Sequence, residues 1–552
     1  MNFYLFFKLK KFKRLLTILC ALGAYVLISF LLARQYSALE DHRTVRWEAR
    51  GGFLYRNGVK YLIKGIGWDP TRPGELPWKR NGSQQVIDDD FARIRKAGFN
   101  TIRTWELVTP DVIAAAERHG LTILMGIWIE RDGAFDNPVF RAQQLAKVTK
   151  TVRMARDSGA VLGYLVMNEP KAEHVLKEGL DTTRAFLREL ARTVHREDPQ
   201  ALVGISSWPG LEFMDEPSLD LVAANLYAFR PKALLETVGY EGMVRLWKEK
   251  IAGERPFIVS EYGVSVAPTP PKLDGPGGAT EEDQAKILPR LAEDALRGGA
   301  AGGAVFQWLD SWWKNKRSRT EEFVHDASDP EEWFGLYAFD ANPKDRGGQA
   351  RPALEAMRKF NRVVLTQPVD GPVAARETEV EAYVEEGVPV AVQVSINGGE
   401  AVVVPCVREG PWVRGRIGLA AQIHGPQRLA FLLSGPKRET LGRFMRVVLP
   451  PGEAPKLALR IIASGARRTA VAQLTDPQGG PLAGKELRFS STEAYRRTDK
   501  FARVMTDRSG AARFEFELPA SPAAVMVVAA FRPIDDEPPL AYDMAILTQE
   551  NR

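Results

Sequence analysis

Between residues 50 and 360 the chain repeats one pattern, a short apolar run followed by a longer amphipathic stretch. The runs are Tyr61–Ile66, Thr101–Trp105, Thr122–Ile127, Val161–Met167, Leu202–Ile205, Leu221–Ala224, Pro256–Ser260 and Gly303–Gln307. Short runs that are apolar throughout predict strands buried on both faces, as in a parallel sheet, while stretches such as 88–96, 182–195 and 281–296 carry a helical period. Eight such units in about 300 residues fit a closed (β/α)8 barrel better than an open doubly wound sheet, which more often has five or six strands and a glycine-rich phosphate loop. Neither a G-x-G-x-x-G nor a Walker loop is present. Ahead of the first run, Phe53–Lys60 has Asn57-Gly58 between apolar residues, which predicts a hairpin placed to plug the barrel bottom.

After residue 362 the texture changes to alternating Val-rich segments with Gly and Pro turns, as in Val390–Gly399, and helical periodicity nearly vanishes. That predicts all-β sandwiches, divided at the Pro-rich run 450–455 into domains over 362–450 and 456–552. The second resembles bacterial Ig-like modules. A hydrophobic share of 45% with 26% charged residues excludes extended disorder.

Six of the 75 Lys and Arg residues lie within residues 1–34, which contain no acid, so the rest balances 69 basic against 69 acidic side chains. A formally neutral body has no field for a phosphate backbone, and no nucleic-acid partner is expected. Residues 15–33 carry no charge and follow the basic segment 1–14, which predicts a transmembrane anchor in the lipid bilayer, with a cytosolic N-terminus and a periplasmic or extracellular body. A cleaved signal peptide is the alternative; the long apolar stretch and poor cleavage site favour the anchor. Cys20 and Cys406 are too far apart in context to form a disulfide framework, and the six histidines show no metal-ligand spacing, so no metal site is expected.

Two of the apolar runs end in a glutamate: Glu169 in Leu165–Pro170 and Glu261 in Phe257–Gly263. Both are expected at the C-terminal mouth of the barrel, where such folds hold their chemistry. A facing carboxyl pair suits glycosidic bond cleavage, because an oxocarbenium-like transition state needs a proton donor on one side and a negative charge on the other. Considered alone, a glutamate after a strand is more often a helix cap or ion-pair partner. The paired context points to catalysis.

Asn168-Glu169-Pro170 on strand four and Glu261-Tyr262-Gly263 on strand seven resemble the clan of retaining (β/α)8 glycoside hydrolases that includes β-galactosidases, β-glucuronidases, mannanases, cellulases and β-1,3-glucanosyltransferases. Leu62–Gly67, Gly98–Trp105, Asn225–Tyr227, Phe306–Trp308 and Glu332–Tyr337 extend the likeness over residues 53–360. The resemblance implies Glu169 as acid/base and Glu261 as nucleophile. It further implies Asn168 on the sugar 2-hydroxyl, Arg103 and Tyr227 holding the nucleophile, and Trp308 as the platform beneath the sugar. The Glu261 charge is expected to raise the pKa of Glu169. Trp68 opens a Pro-rich loop that is either a subsite wall or a simple surface turn, and Trp128 is expected to be a wall or subsite residue. Arg103 and Trp308 also admit structural readings, as an ion pair and as rim packing. Asp69, Glu106, Glu130, Asp132 and Asp310 follow barrel strands and read first as solvated loop charges, second as sugar ligands.

The clan's usual histidines are missing, with Asn225 where one often stands, which leaves the substrate family open. The expected function is a membrane-anchored retaining β-glycosidase or transglycosylase on a periplasmic or cell-surface, glucan-like polysaccharide. The alternative is a noncatalytic carbohydrate-binding or envelope-assembly protein on the same barrel. The chemistry requires no cofactor. The sandwiches are candidates for contacting an envelope protein partner.

Overall fold

The computed structural model describes residues 45–548 except 73–82, 107, 272–274, 312–313, 315–325, 340–347, 421–423, 465–466, 495–498 and 519–523. The basic segment 1–14 and the anchor expected at 15–33 lie outside these residues, as does most of the Pro-rich loop after Trp68. Among the described residues no helix is long and apolar enough to cross a membrane.

A small antiparallel sheet comes first, with β1 (Trp47–Arg50), β2 (Phe53–Arg56) and β3 (Val59–Tyr61). Asn57 and Gly58 have φ of 52° and 77°, the left-handed pair that a two-residue hairpin turn demands. Eight parallel strands then close a barrel. They are β4 (Ile63–Gly67), β5 (Thr101–Arg103), β6 (Thr122–Gly126), β7 (Val161–Asn168), β8 (Val203–Ser207), β9 (Val222–Asn225), β10 (Phe257–Tyr262) and β11 (Gly302–Val305). Each begins within two residues of its expected start. β4 to β6 and β8 to β11 are buried along their full length, as strands sandwiched between a barrel interior and a ring of helices must be. Trp47 and Leu54 of the small sheet pack with Ile63, Leu124, Leu165 and Ile258 from inside the barrel, so the hairpin does cap one end.

The helices sit outside on apolar stripes. In Gln84–Lys96, Ile87, Phe91 and Ile94 recur at helical spacing on the buried face, and the Ser83 hydroxyl accepts from Val86 N at 3.4 Å to cap the start. Glu281–Arg297 opens with a reciprocal capping box between Thr280 and Asp283.

Beyond the last barrel helix, Pro352–Arg362, no α-helix occurs among the described residues. Strands from Val363 to Leu449 form a four-stranded and a five-stranded sheet around Val380, Val394, Leu429 and Phe431. Strands from Lys456 to Leu547 form three- and four-stranded sheets around Leu474, Leu487, Phe489 and Phe514. The first of these sandwiches is tied to the small sheet by Trp412, whose indole donates to Lys60 O at 2.8 Å, and to the barrel by the Arg297–Asp370 ion pair at 2.6 Å.

Candidate active site

Both strand-end glutamates lie where the barrel ladder is interrupted. The β7–β8 register shifts between Leu165 and Asn168, and the β9–β10 register shifts between Val259 and Glu261. Such irregularities re-aim side chains at a barrel rim. Glu169 itself sits at φ 46°, a left-handed conformation that a side chain adopts only under constraint, here with its N–H bonded to Ser206 O at 2.7 Å.

The two carboxylates have unequal surroundings. Glu261 is held at both oxygens. Oε1 accepts from the Trp105 indole at 2.8 Å and pairs with Arg103 Nη1 at 3.1 Å, while Oε2 accepts from the Tyr227 hydroxyl at 2.8 Å. Glu169 accepts one side-chain hydrogen bond, from Asn225 Nδ2 at 2.8 Å, with Arg131 Nη1 at 3.9 Å from its other oxygen. The Glu261 side chain is 7% exposed and that of Glu169 31%, so one is a fixed anion site and the other reaches into open space.

A chain of polar contacts links them. Ser206 and Ser260 donate to Asn225 Oδ1 at 2.7 and 2.8 Å, which directs Asn225 Nδ2 to Glu169 and, at 3.4 Å, to Asn168 Oδ1. Asn168 Oδ1 also accepts from Arg103 Nη2 at 2.5 Å, and Arg103 completes the path to Glu261. Asn225 therefore positions the strand-four carboxyl.

Burial is the largest influence on Glu261 and pushes its carboxyl up to about 7. Arg103 and the Tyr227 hydroxyl oppose the shift, and the Glu169 charge adds to it. Burial also lowers Arg103 from its ordinary value, yet a guanidinium stays protonated throughout the working range. Tyr227 is raised well above 10, first by burial and then by the Glu261 charge, so it acts as a neutral donor.

Sequence reasoning assigned no role to Trp105, Asn225 or Phe306. The Phe306 ring meets Trp105 edge-on at 5.5 Å and Tyr227 at 6.3 Å, which places it beside two of the residues that hold Glu261. Trp105 leaves a signal in two glycines. A Cβ on Gly126 would stand 2.6 Å from the Trp105 Cα and 2.2 Å from Thr104 O, and one on Gly67 would meet the indole at 2.7 Å.

The structure corrects the expectations for Trp308, Trp68 and Asp310. Trp308 is fully buried and donates to Asp90 Oδ1 at 3.2 Å; Trp68, 2% exposed, donates to Asp90 Oδ2 at 2.9 Å. Asp90 is itself buried on the first barrel helix, and the two indoles join Arg72 and Arg93 in satisfying its carboxylate, which fixes both rings in the buried wall. Neither is a sugar platform in this conformation. Trp128 follows β6 half-buried and does not line the cavity beside Glu169. Asp310, read first as a solvated loop charge, is buried in a bidentate pair with Arg351 at 2.7 Å for both bonds. Asp132 pairs with Lys171. Among the described residues no group of His, Cys, Asp and Glu is arranged to hold a metal ion.

No family model and no curated protein matches the chain by sequence. Among solved structures it is similar to the β-glucuronidase of Parabacteroides merdae, with 14% identity, a TM-score of 0.45, and coverage of 92% of this chain and 64% of that one. It is also similar to a putative β-galactosidase from Bacteroides fragilis (16%, TM-score 0.43, covering 74% and 58%) and to an endo-β-1,4-mannanase from Thermotoga petrophila (13%, TM-score 0.37, covering 71% and 99%). The chain spans less than two thirds of the glucuronidase's length. Likenesses of this size say nothing of what this chain acts on.

Proposed function

We propose that the protein is a retaining β-glycosidase or transglycosylase that works by double displacement. One observation carries the reading: of the two strand-end glutamates, one is buried and held by two hydrogen bonds and an ion pair, while the other opens onto a cavity with a single side-chain donor. A nucleophile must be held rigid and ionised. An acid/base must reach the glycosidic oxygen and exchange its proton.

In this scheme a Glu261 oxygen attacks the anomeric carbon as the bond to the leaving oxygen breaks, and Glu169 delivers the proton that oxygen needs. A covalent glycosyl ester on Glu261 results. Glu169, now a carboxylate, takes a proton from water or from a sugar hydroxyl, which attacks the anomeric carbon and restores Glu261. Arg103, Trp105 and Tyr227 stabilise the carboxylate before attack and again as it departs. Asn168 Nδ2 donates to no described residue, which leaves it for the sugar 2-hydroxyl.

The substrate in this reading is a glucan-like polysaccharide outside the cytosol, reached from a membrane tether. The uncharged stretch 15–33 behind a basic segment supports that placement. The test is cleavage of a β-glucan and β-mannan panel with product anomers read by NMR. Retained configuration, lost in Glu261→Gln, supports the proposal. Glu169→Ala should lose far more activity on natural glycans than on dinitrophenyl glycosides, whose leaving group needs little protonation. Inverted products, or glycan processing unchanged in Glu261→Gln, would refute it.

A further inference from the structure

Beside Glu169 lies a cavity of about 370 Å³, within the range of small-ligand pockets. Its walls come from parts of the chain far apart in sequence. The barrel supplies Glu169, Trp208 and Arg230; the last sandwich supplies Thr492, Glu493 and Asp499.

The sandwich wall is held firmly. The barrel helix Lys232–Leu246 packs against strands Glu486–Glu493, Asp499–Met505 and Val525–Phe531. The buried Arg245 guanidinium crosses to donate to Pro539 O at 2.6 Å, and Arg488 crosses the other way to Glu236 O at 3.3 Å. Ala494, Met526 and Val528 belong to the same apolar cluster as the barrel core. A Cβ on Gly210 would stand 3.5 Å from the Ala494 Cα, so the loop carrying Trp208 also runs against the sandwich.

The cavity opens on Glu169 and not on Glu261. In double displacement the acid/base faces the leaving group as it departs and the acceptor as it arrives, so the cavity lies on that side of the scissile bond. Trp208 is half-buried there, its indole anchored to Pro170 O at 3.2 Å, next to the acid itself. An aromatic face so fixed suits the C–H surface of a pyranose. Among the described lining residues Arg131, Lys171 and Arg230 are matched by Glu173, Glu493 and Asp499, and Lys171 is paired with Asp132, so these side chains carry no excess of positive charge for a polyanion.

We propose that the last sandwich completes a leaving-group and acceptor subsite for an uncharged sugar unit, with Trp208 as its platform and the half-buried Asp499 accepting hydrogen bonds from its hydroxyls. The sandwich is then part of the specificity machinery rather than a spacer. This assignment of the cavity's side rests on the glycosidase reading above.

The test uses the full chain with cello-, laminari-, manno- and uronate-bearing oligosaccharides and the p-nitrophenyl β-glycoside of each sugar. Trp208→Ala should lower kcat/KM on the cleaved oligosaccharide by about tenfold more than on the matching aryl glycoside. Asp499→Asn should do the same by about threefold to tenfold, and Asp499→Trp, which intrudes on the cavity, by more. Thermal unfolding of each variant separates loss of the subsite from loss of the fold. Equal losses on both substrate types overturn the subsite and leave the glycosidase reading standing. Cleavage only of uronate-bearing oligosaccharides overturns the uncharged occupant. Should wild type cleave nothing, calorimetric titration with the same oligosaccharides decides. Binding that Trp208→Ala and Asp499→Trp abolish keeps a saccharide site and removes the glycosidase; no binding, or binding the variants leave intact, overturns the subsite.

Discussion

Tyr227→Phe isolates one of the three contacts that hold Glu261, the nucleophile of the proposed mechanism. It removes the hydroxyl that donates to Glu261 Oε2 at 2.8 Å and leaves Arg103 and Trp105 on Oε1. The hydroxyl bonds the charged form, so its loss raises the Glu261 pKa above the value of about 7 set mainly by burial. A hydrogen bond to an ionised group contributes about 1.5–3 kcal/mol, and 1.36 kcal/mol corresponds to one pKa unit, so the shift is about one to two units. Attack requires the carboxylate, so the acid limb of kcat/KM, which reports the free enzyme, moves from near 7 to about 8–9. At pH 7 the ionised fraction then falls from about one half to about one tenth or less, which lowers kcat/KM about fivefold or more, with much of the loss recovered at alkaline pH. The assay is the pH profile of kcat/KM for wild type and variant on one glycoside. An acid limb that stays in place, or moves downward, refutes the claim that this hydroxyl stabilises an ionised nucleophile.

Other perturbations follow from the same geometry. Gly126→Ala places a Cβ against Thr104 O and the Trp105 backbone, so it should cost about 1–3 kcal/mol of stability and displace the Trp105 donor; a lower melting temperature together with an upward-shifted acid limb checks both parts. Asn225→Ala removes the donor to Glu169 and should cut turnover of natural glycans more than turnover of dinitrophenyl glycosides, as steady-state kinetics on the two substrates will show. Glu212 is fully enclosed and burial pushes its carboxyl up to about 7, although Gly210 N donates to it at 2.8 Å. The folded state then binds this proton more tightly than the unfolded chain, so stability falls as pH rises from the ordinary glutamate value through 7. Glu212→Gln should therefore stabilise the protein by up to about 3 kcal/mol at pH 8 and by little at pH 4.5. Calorimetry at the two pH values tests it, and an equal effect at both contradicts the assignment.

The barrel was legible because its strands are buried on both faces and must be apolar from end to end, so eight short runs announce themselves without reference to any partner. Glu169 and Glu261 were legible for the same reason, as charged residues that abruptly end such runs. Arg103 and Tyr227 share their strand-end placement, and both do touch Glu261. Trp308 and Trp68 were misread because their facing depends on Asp90, a buried carboxylate 218 residues away from Trp308 and 22 from Trp68, and no local pattern reports that demand. The alternation of a strand also ends with Val305, so period-two reasoning could not choose between Phe306 and Trp308. The sandwich wall beside Glu169 was hidden for a similar reason: it depends on how the helix Lys232–Leu246 docks strands that lie more than two hundred residues later.

The central claim is that Glu261 forms a covalent bond to sugar. Mass spectrometry of the protein treated with a 2-deoxy-2-fluoro β-glycoside of the sugar it cleaves tests that claim most directly. The fluorine slows breakdown of the ester more than it prevents its formation, so one glycosyl unit is expected, carried by the peptide containing Glu261 and absent from Glu261→Gln. A label on a different carboxylate, or an unlabelled protein that turns over glycan with inversion, would contradict it.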